Sequence, residues 1–470
     1  MKDKSTLTIK DMLGYTVGSI GDSTAYNFVI SFFSFFMITI AGISPIVAGS
    51  IISLAIVWDA ITDPIIGFMI DYSKNKKGKR RPYILKSLIP MATSIILMFL
   101  KVDLPQAQLN LYYLVLVLIF WTSYTTFNIP YYSFGAVLTN VDNERVKISA
   151  YREVMSYIGV LCASSIPTFI VGKLLEKGIN DSKAWFVVGI IVAVITTITI
   201  LIMWKCTDGK EPIEENTEVE KISIKGFFNQ LRDLIKLKPY LLVIICALLT
   251  NIYLTLFNSN LIYYAIYNMN TTEVKASVMF TVMTISSIAL IPFITKAVDL
   301  FTKENVFISC MMFSGVSMII AKFVGIPNVF WGCIYVVIVG VGTCAYWMCI
   351  FNFLYDVMDF DEYKTGKKRD GIIMSYYSFL LKLGGAIAAW ISGVLLQTGG
   401  FNANLEVQTS ATLNIIESLF TIYPGICMLL AGAVMILTPL KYKKMNELRL
   451  ALAKRRAGEE YNQDGFDDIV

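Results

Sequence analysis

The chain has 470 residues, 56% of them hydrophobic and only 16% charged, with a mean hydropathy of +0.62. That much apolar surface cannot be hidden in a water-soluble core, so a soluble globular fold is excluded and a polytopic membrane protein is expected, with the lipid bilayer as its surroundings. The formal net charge of +5 sits in loops and tail, where membrane topology accounts for it and no nucleic-acid partner is called for. There is no histidine, which excludes His-ligated zinc, Ser-His-Asp catalysis and a histidine proton relay and leaves any ion coupling to carboxylates.

In chain order, Met1 to Asp11 is polar, and the apolar run at 15–40 can itself direct insertion, so no cleavable leader is expected. Further runs of spanning length at 45–72, 83–101, 110–139, 147–173, 184–204, 239–267, 274–295, 305–324, 327–353, 371–397 and 415–440 predict twelve spans in all. These are far too long for barrel strands, so the fold class is an all-α membrane protein of twelve transmembrane helices in two six-helix bundles. The loop after span 2 carries Lys74, Lys76, Lys77, Lys79, Arg80 and Arg81, and the tail is basic from Lys441 to Arg456, whereas the first outer loop has no basic residue. The positive-inside rule then places both termini in the cytoplasm.

A charged stretch, with Glu214, Glu215, Glu218 and Glu220 before Lys221 and Lys225, divides six spans from six. The domains expected are an N-terminal six-helix bundle at 1–206, a cytoplasmic linker at 207–238, a C-terminal six-helix bundle at 239–440 and a cytoplasmic tail at 441–470. Phe227, Phe228, Leu231, Leu234 and Ile235 have the spacing of a surface helix, and so do Met445, Leu448 and Leu452 in the tail. The eight cysteines fall in or beside apolar runs without metal-type spacing and read as packing residues.

A few ionisable residues stand out in otherwise apolar spans: Asp22 in span 1, Asp59 and Asp63 in span 2, Arg152 at the start of span 5 and Lys382 in span 11. Each costs about 2.5–3.5 kcal/mol at bilayer depth, which marks it as a candidate site residue or a member of an internal ion-pair network. Asp59 and Asp63 are four apart and share a helix face, where two carboxylates suit a hard cation, Na⁺ or H⁺. Thr62 and Thr125 can add hydroxyl ligands. In span 4, Tyr124, Asn128 and Tyr132 lie on one face of a helix bent by Pro130, an amide among aromatic rings that suits a sugar's hydroxyls and C–H faces. Tyr26, one turn from Asp22, and Trp347 in span 10 can extend that surface.

The segments Trp58-Asp59-Ala60-Ile61-Thr62-Asp63-Pro64, Gly78-Lys79-Arg80-Arg81-Pro82, Asn128-Ile129-Pro130 and Asp356 to Lys364 resemble the glycoside-pentoside-hexuronide cation symporters, melibiose-carrier-like members of the major facilitator superfamily. The resemblance covers nearly the whole chain and implies a major facilitator fold, a place in a plasma membrane, that is a bacterial inner membrane, and sugar uptake coupled to Na⁺, Li⁺ or H⁺. It assigns Asp59 and Asp63 to the cation, as its metal ligands when Na⁺ or Li⁺ binds, with Thr125 joining them. It places Lys382 beside that site as a coupling residue, and Tyr124, Arg152 and Trp347 at the sugar. Asn128 stands where melibiose carriers have aspartate, Tyr132 where they have tryptophan and Thr62 where they have asparagine. Asp22 matches their sugar-binding aspartate only after a one-residue shift.

The expected function is therefore cation-coupled symport of a sugar or glycoside by alternating access, in a monomer with no cofactor beyond the coupling ion. The alternative is a carrier of amphiphiles such as lysophospholipids. An enzyme or sensor would need a catalytic constellation or a sizeable soluble domain, and neither is visible in the sequence.

Overall fold

A computed structural model describes residues 7–71, 73, 75, 78–139, 141–211, 224–271, 273–401, 405 and 407–457. Lys74, Lys76 and Lys77, the acidic linker through Glu214 to Lys221, and the end of the tail lie outside the described residues, as do the side chains of Phe227 and Phe228.

Every expected span coincides with helix. Span 1 is α1 (Ile9–Thr16) followed by α2 (Gly18–Phe35) and a π-helical turn, Phe36–Ile40. A capping box opens it, the Thr8 hydroxyl accepting from the Asp11 N–H while the Asp11 carboxylate accepts from the Thr8 N–H. Next come α3 (Pro45–Asp71), α4 (Arg81–Met98), α5 (Gln106–Leu138), α6 (Asp142–Glu176) and α7 (Asp181–Cys206). The amphipathic segment expected in the second part of the linker is α8 (Ile224–Ile235), with Leu234 buried. Then follow α9 (Lys238–Tyr263) with a second π-helical turn at Tyr264–Asn268, α10 (Glu273–Leu300), α11 (Lys303–Val324), α12 (Val329–Thr365) and α13 (Asp370–Thr398). Span 12 is α14 (Ser410–Phe420) and α15 (Ile422–Ile436), interrupted at Thr421, and the tail forms α16 (Tyr442–Ala457).

Among the described residues, eleven of these helices or helix pairs are long and apolar enough to cross a membrane. The expected twelfth, α4, is only 18 residues long and begins with Arg81 and Pro82, with Lys86 one turn further on. Prolines 64, 90, 130, 167 and 292 sit inside helices, where each removes one backbone hydrogen bond and permits a bend.

The chain divides into two compact units, residues 1–227 with 368–376, and residues 228–367 with 377–470. In the first, α2 packs on α6 and α7, α4 on α5 and α7, and α3 on α5. In the second, α9 packs on α15, α11 on α15 and α12, and α10 on α12. In span numbers the pairs 1–6, 3–6, 3–4 and 2–4 recur as 7–12, 9–12, 9–10 and 8–10. The pair 1–5 recurs where Asn260 of α9 donates to Ser392 of α13 at 3.1 Å. Identical neighbour relations in both units express the duplication that the sequence hints at only faintly.

Aromatic packing fills both interiors. Phe28 and Phe99 have ring centroids 4.4 Å apart in the first unit, and Phe257 lies 4.9 Å from Phe420 in the second. The tail helix is part of the second interior: Met445, Leu448 and Leu452 are buried, and Arg449 makes ion pairs with Asp356 and, at 3.0 Å, with Asp359 of α12. Lys303 of α11 completes this cluster, 2.6 Å from Asp356.

Candidate functional site

Two clusters of polar side chains occupy the first unit, and both are organised by α5. On one face of that helix the hydroxyl of Thr125 lies 2.8 Å from Asp59 Oδ1 and 3.1 Å from Asp63 Oδ1. All three residues are buried. The i, i+4 spacing on α3 stacks the two carboxylates, and the α3–α5 packing brings the threonine up between them. One hydroxyl proton can be donated to only one acceptor at a time. Two carboxylates converging on one hydroxyl form an oxygen-only donor set of the kind that suits a proton or a hard cation. Thr62 is buried beside them and donates to the Asp59 carbonyl at 3.1 Å, a bond within its own helix. Next to this cluster the Trp58 indole donates to Thr122 at 2.8 Å, tying α3 to α5 a second time.

The other cluster lies about 100° around α5, on the face of Tyr124, Asn128 and Tyr132. Asp22 of α2, 5% exposed, accepts from the Asn128 amide at 2.9 Å and from the Tyr132 hydroxyl at 3.0 Å. The Asn128 amide is also 3.2 Å from the Tyr124 hydroxyl. Arg152 of α6 is 1% exposed, with its guanidinium carbon 5.0 Å from the Tyr132 ring centroid, a cation–π contact. Tyr26 packs against Tyr124 and Trp121 at 5.6 and 5.8 Å between centroids, and its ring is partly exposed. A carboxylate, an amide, a guanidinium and three tyrosines thus converge, a set that can donate to and accept from several hydroxyls at once.

Trp347 and Lys382 belong to the second unit. Trp347 is half-buried on α12, edge-to-face with Tyr346 at 5.1 Å, and Lys382 is half-buried on α13.

Several polar contacts escape sequence reasoning. Glu153 stands half-buried on α6, next to Arg152. A helix containing Tyr151, Arg152 and Glu153 in succession reads as a polar helix end, and its proximity to Asp22 comes only from the packing of α6 on α2. The others gather at the basic loop. Gly78, at φ +101°, lets the chain pass Glu211, where a Cβ would meet the carboxylate at 2.1 Å. Arg80 then reaches Glu211 at 3.3 Å and Asp370 at 2.6 Å. The Asp71 carboxylate accepts from the Gly371 and Ile372 N–H groups at 2.8 and 2.7 Å, a carboxylate at a helix N-terminus. Arg81 pairs with Asp208, whose carboxyl is thereby held below its usual range, and lies over the Trp204 ring at 4.8 Å.

Membrane-spanning helices in two units with the same neighbour relations, and buried polar clusters within the first, suit a membrane transporter. A family model described as MFS/sugar transport protein matches residues 14–442. The symporter YjmB of Bacillus subtilis is 28% identical over 92% of this chain and 92% of its own length, and the isoprimeverose transporter of Lactiplantibacillus pentosus is 26% identical over 88% and 85%. Among solved structures, the Escherichia coli fucose:proton symporter superposes with a TM-score of 0.62 at 14% identity, covering 91% of this chain and 96% of its own, which establishes the major facilitator fold. The chain belongs to the MFS/sugar transport protein family, among the melibiose-carrier-like symporters of the major facilitator superfamily.

Proposed function

We propose that this protein takes up a sugar or glycoside by symport with a cation, through alternating access, using Asp59, Asp63 and Thr125 for the ion and Asp22, Tyr26, Tyr124, Asn128, Tyr132 and Arg152 for the sugar. The observation that carries the reading is Thr125 held within 3.1 Å of both carboxylates, the oxygen-only donor set a hard cation prefers. Na⁺, Li⁺ and H⁺ all fit such a donor set, with Thr62 as a further hydroxyl. Thr125 follows Tyr124 directly, so a cation that pulls on α5 from one face reorients the sugar-contacting face, and this is the physical basis proposed for coupling. Trp347 is proposed as the second unit's contribution to the sugar and Lys382 as a coupling residue, both from the family resemblance. Positive charge in the basic loop and tail supports cytoplasmic termini, and a monomer is sufficient for transport.

A mainly hydrogen-bonding cluster favours a polyhydroxylated solute over an amphiphile, whose acyl chain would gain nothing from Asp22, Asn128 and Arg152. The relative named as an isoprimeverose transporter lends weight to a glycoside. The test is uptake by a transport-deficient bacterial strain expressing this chain, across a panel of glycosides, with and without Na⁺ and with and without an imposed proton gradient. Cation-dependent accumulation of at least one glycoside is expected. Accumulation that ignores both gradients would remove the symport assignment.

A further inference from the structure

Trp58 stands at the middle residue of α3 (Pro45–Asp71), about 20 Å from either end at 1.5 Å per residue, far from the interfacial belts that indole rings favour. It is 41% exposed, and Leu54, Ile61 and Ile65 on the same face of the helix are exposed as well, an apolar stripe that turns this side of α3 toward lipid. The bilayer core offers an indole N–H no water, so the hydrogen bond to Thr122 at 2.8 Å satisfies a donor that would otherwise be stranded. Packing holds the ring on one side only. With Lys86 and Pro90 of α4 and Val115, Leu118 and Ile119 of α5, Trp58 lines a groove of about 470 Å³, so the hydrogen bond fixes the orientation of the ring.

Thr122 is prepared as the acceptor. Its hydroxyl donates to the Leu118 carbonyl of its own helix at 2.7 Å, which commits the proton and leaves the oxygen free to receive the indole. In sequence Trp58 adjoins Asp59, and Thr122 precedes Thr125 by one helical turn. Helices α3 and α5 are therefore tied twice, by Thr125 with Asp59 and Asp63 on the buried side of their seam and by Trp58 with Thr122 on its lipid side. Ties on both sides prevent one helix from rolling against the other. A roll that displaced either carboxylate by more than about 0.5 Å would spoil the ligand geometry of a bound ion.

We infer that Trp58 and Thr122 are positioning residues for the cation site: their hydrogen bond holds α3 and α5 in register and so sets ion affinity, while neither side chain belongs to the ion's donor set or to the sugar cluster. The inference rests on the assignment of Asp59, Asp63 and Thr125 to the cation and extends it to a pair on the lipid side of the same seam. Asp22, Asn128 and Tyr132 are joined to one another by their own hydrogen bonds, independently of this pair. Loss of the tie should accordingly weaken the ion and spare the sugar once the ion is saturating.

The experiment uses the full-length protein in cells, with the glycoside and the ion (Na⁺, Li⁺ or H⁺) that the wild type is found to couple. Two quantities are measured: the ion concentration, or for H⁺ the pH, at half-maximal uptake, and the sugar concentration at half-maximal uptake with the ion saturating. Trp58→Phe keeps an aromatic ring and loses the donor, and Thr122→Val keeps the side-chain shape and loses the acceptor. Each should raise the ion requirement about three- to tenfold, the range of one neutral hydrogen bond, and leave the sugar requirement unchanged. The double variant should be no worse than the poorer single one, because both remove the same bond, and Thr122→Ser should restore the wild-type value. An unchanged ion requirement in well-expressed Trp58→Phe and Thr122→Val overturns the inference. So do ion and sugar requirements that rise together, the mark of a bundle loosened throughout, and single effects that add in the double variant. Should Trp58→Phe fail to reach the membrane, Thr122→Val against Thr122→Ser decides the matter alone. Wild-type uptake that ignores every ion removes the cation assignment itself, and this inference with it.

Discussion

Asp63 and Asp59 both lie within hydrogen-bond reach of the Thr125 hydroxyl, and each residue makes a separate prediction. Neutralising one carboxylate removes a ligand of the cation but leaves an amide that can still accept from Thr125. Asp63→Asn should therefore fold and still equilibrate sugar across the membrane, while uphill accumulation disappears. Accumulation driven by Na⁺ or H⁺ at the wild-type level in this variant would end the cation assignment. Thr125→Ala removes a hydrogen-bond partner of charged groups, an interaction typically worth about 1.5–3 kcal/mol. The cation concentration for half-maximal uptake should rise by roughly ten- to a hundredfold, and an unchanged value would leave Thr125 as a packing residue. At the sugar, the Asn128 amide donates to Asp22 at 2.9 Å, and a carboxylate in its place would face Asp22 with two acceptors and no donor. Asn128→Asp should reorder substrate preference across galactosides, glucosides and xylosides. An identical order in both proteins would confine substrate reading to Asp22 and Arg152.

Helices α2 and α6 form the element pair on which the sugar cluster depends. Asp22 sits on one and Arg152 and Glu153 on the other, and their separation is set where Gly159 meets the Ile20 carbonyl, two residues before Asp22. A backbone carbonyl in a helix cannot move aside without moving the helix. Gly159→Ala should therefore cost about 1–3 kcal/mol through overpacking, lower the thermal midpoint in detergent by several degrees, and weaken sugar binding with the cation response retained. A variant with wild-type melting and wild-type affinity would show that α2 and α6 have slack at this point. Helix α5 contributes differently, since it carries both ligand faces on a single rigid element with Pro130 inside it.

On the scale of the whole molecule, each unit closes one of its ends with buried ion pairs. In the second unit the tail helix enters that closure through Arg449, which is 8% exposed and paired with Asp356 and Asp359, with Lys303 on the far side of Asp356. Removing one partner of a buried pair leaves a charge without its counter-ion, typically a loss of about 3–5 kcal/mol. The lysine that remains beside Asp356 should hold Arg449→Ala near the lower end of that range. Fluorescence-detected size-exclusion melting of this variant should show an earlier transition, and truncation after Lys441 should reproduce or exceed it. Equal melting of the truncated and intact chains would make α16 a peripheral appendage.

The sequence by itself determined whatever has a short range along the chain. Runs of about 20 apolar residues must be helices in lipid because their backbone groups have no other partners, and the expected spans and the tail helix through Met445, Leu448 and Leu452 appear where that rule and the helical spacing put them. The i, i+4 aspartates of α3 and the tyrosine–asparagine–tyrosine face of α5 were legible for the same reason, since a helix converts spacing into adjacency. Asp22 and Arg152 stood out by the cost of a charge in a span, although nothing local to either said which side chains would surround it. Those partners were decided by tertiary structure: Asn128 lies 106 residues from Asp22, and Arg449 lies 93 from Asp356. Arg152 acquires its place over the Tyr132 ring, and Arg80 its contact with Asp370, only through helix packing. Spacing along one helix carries no information about which other helix will pack against it, so the polarity of a site can be read from a sequence while its membership and charge balance require the fold.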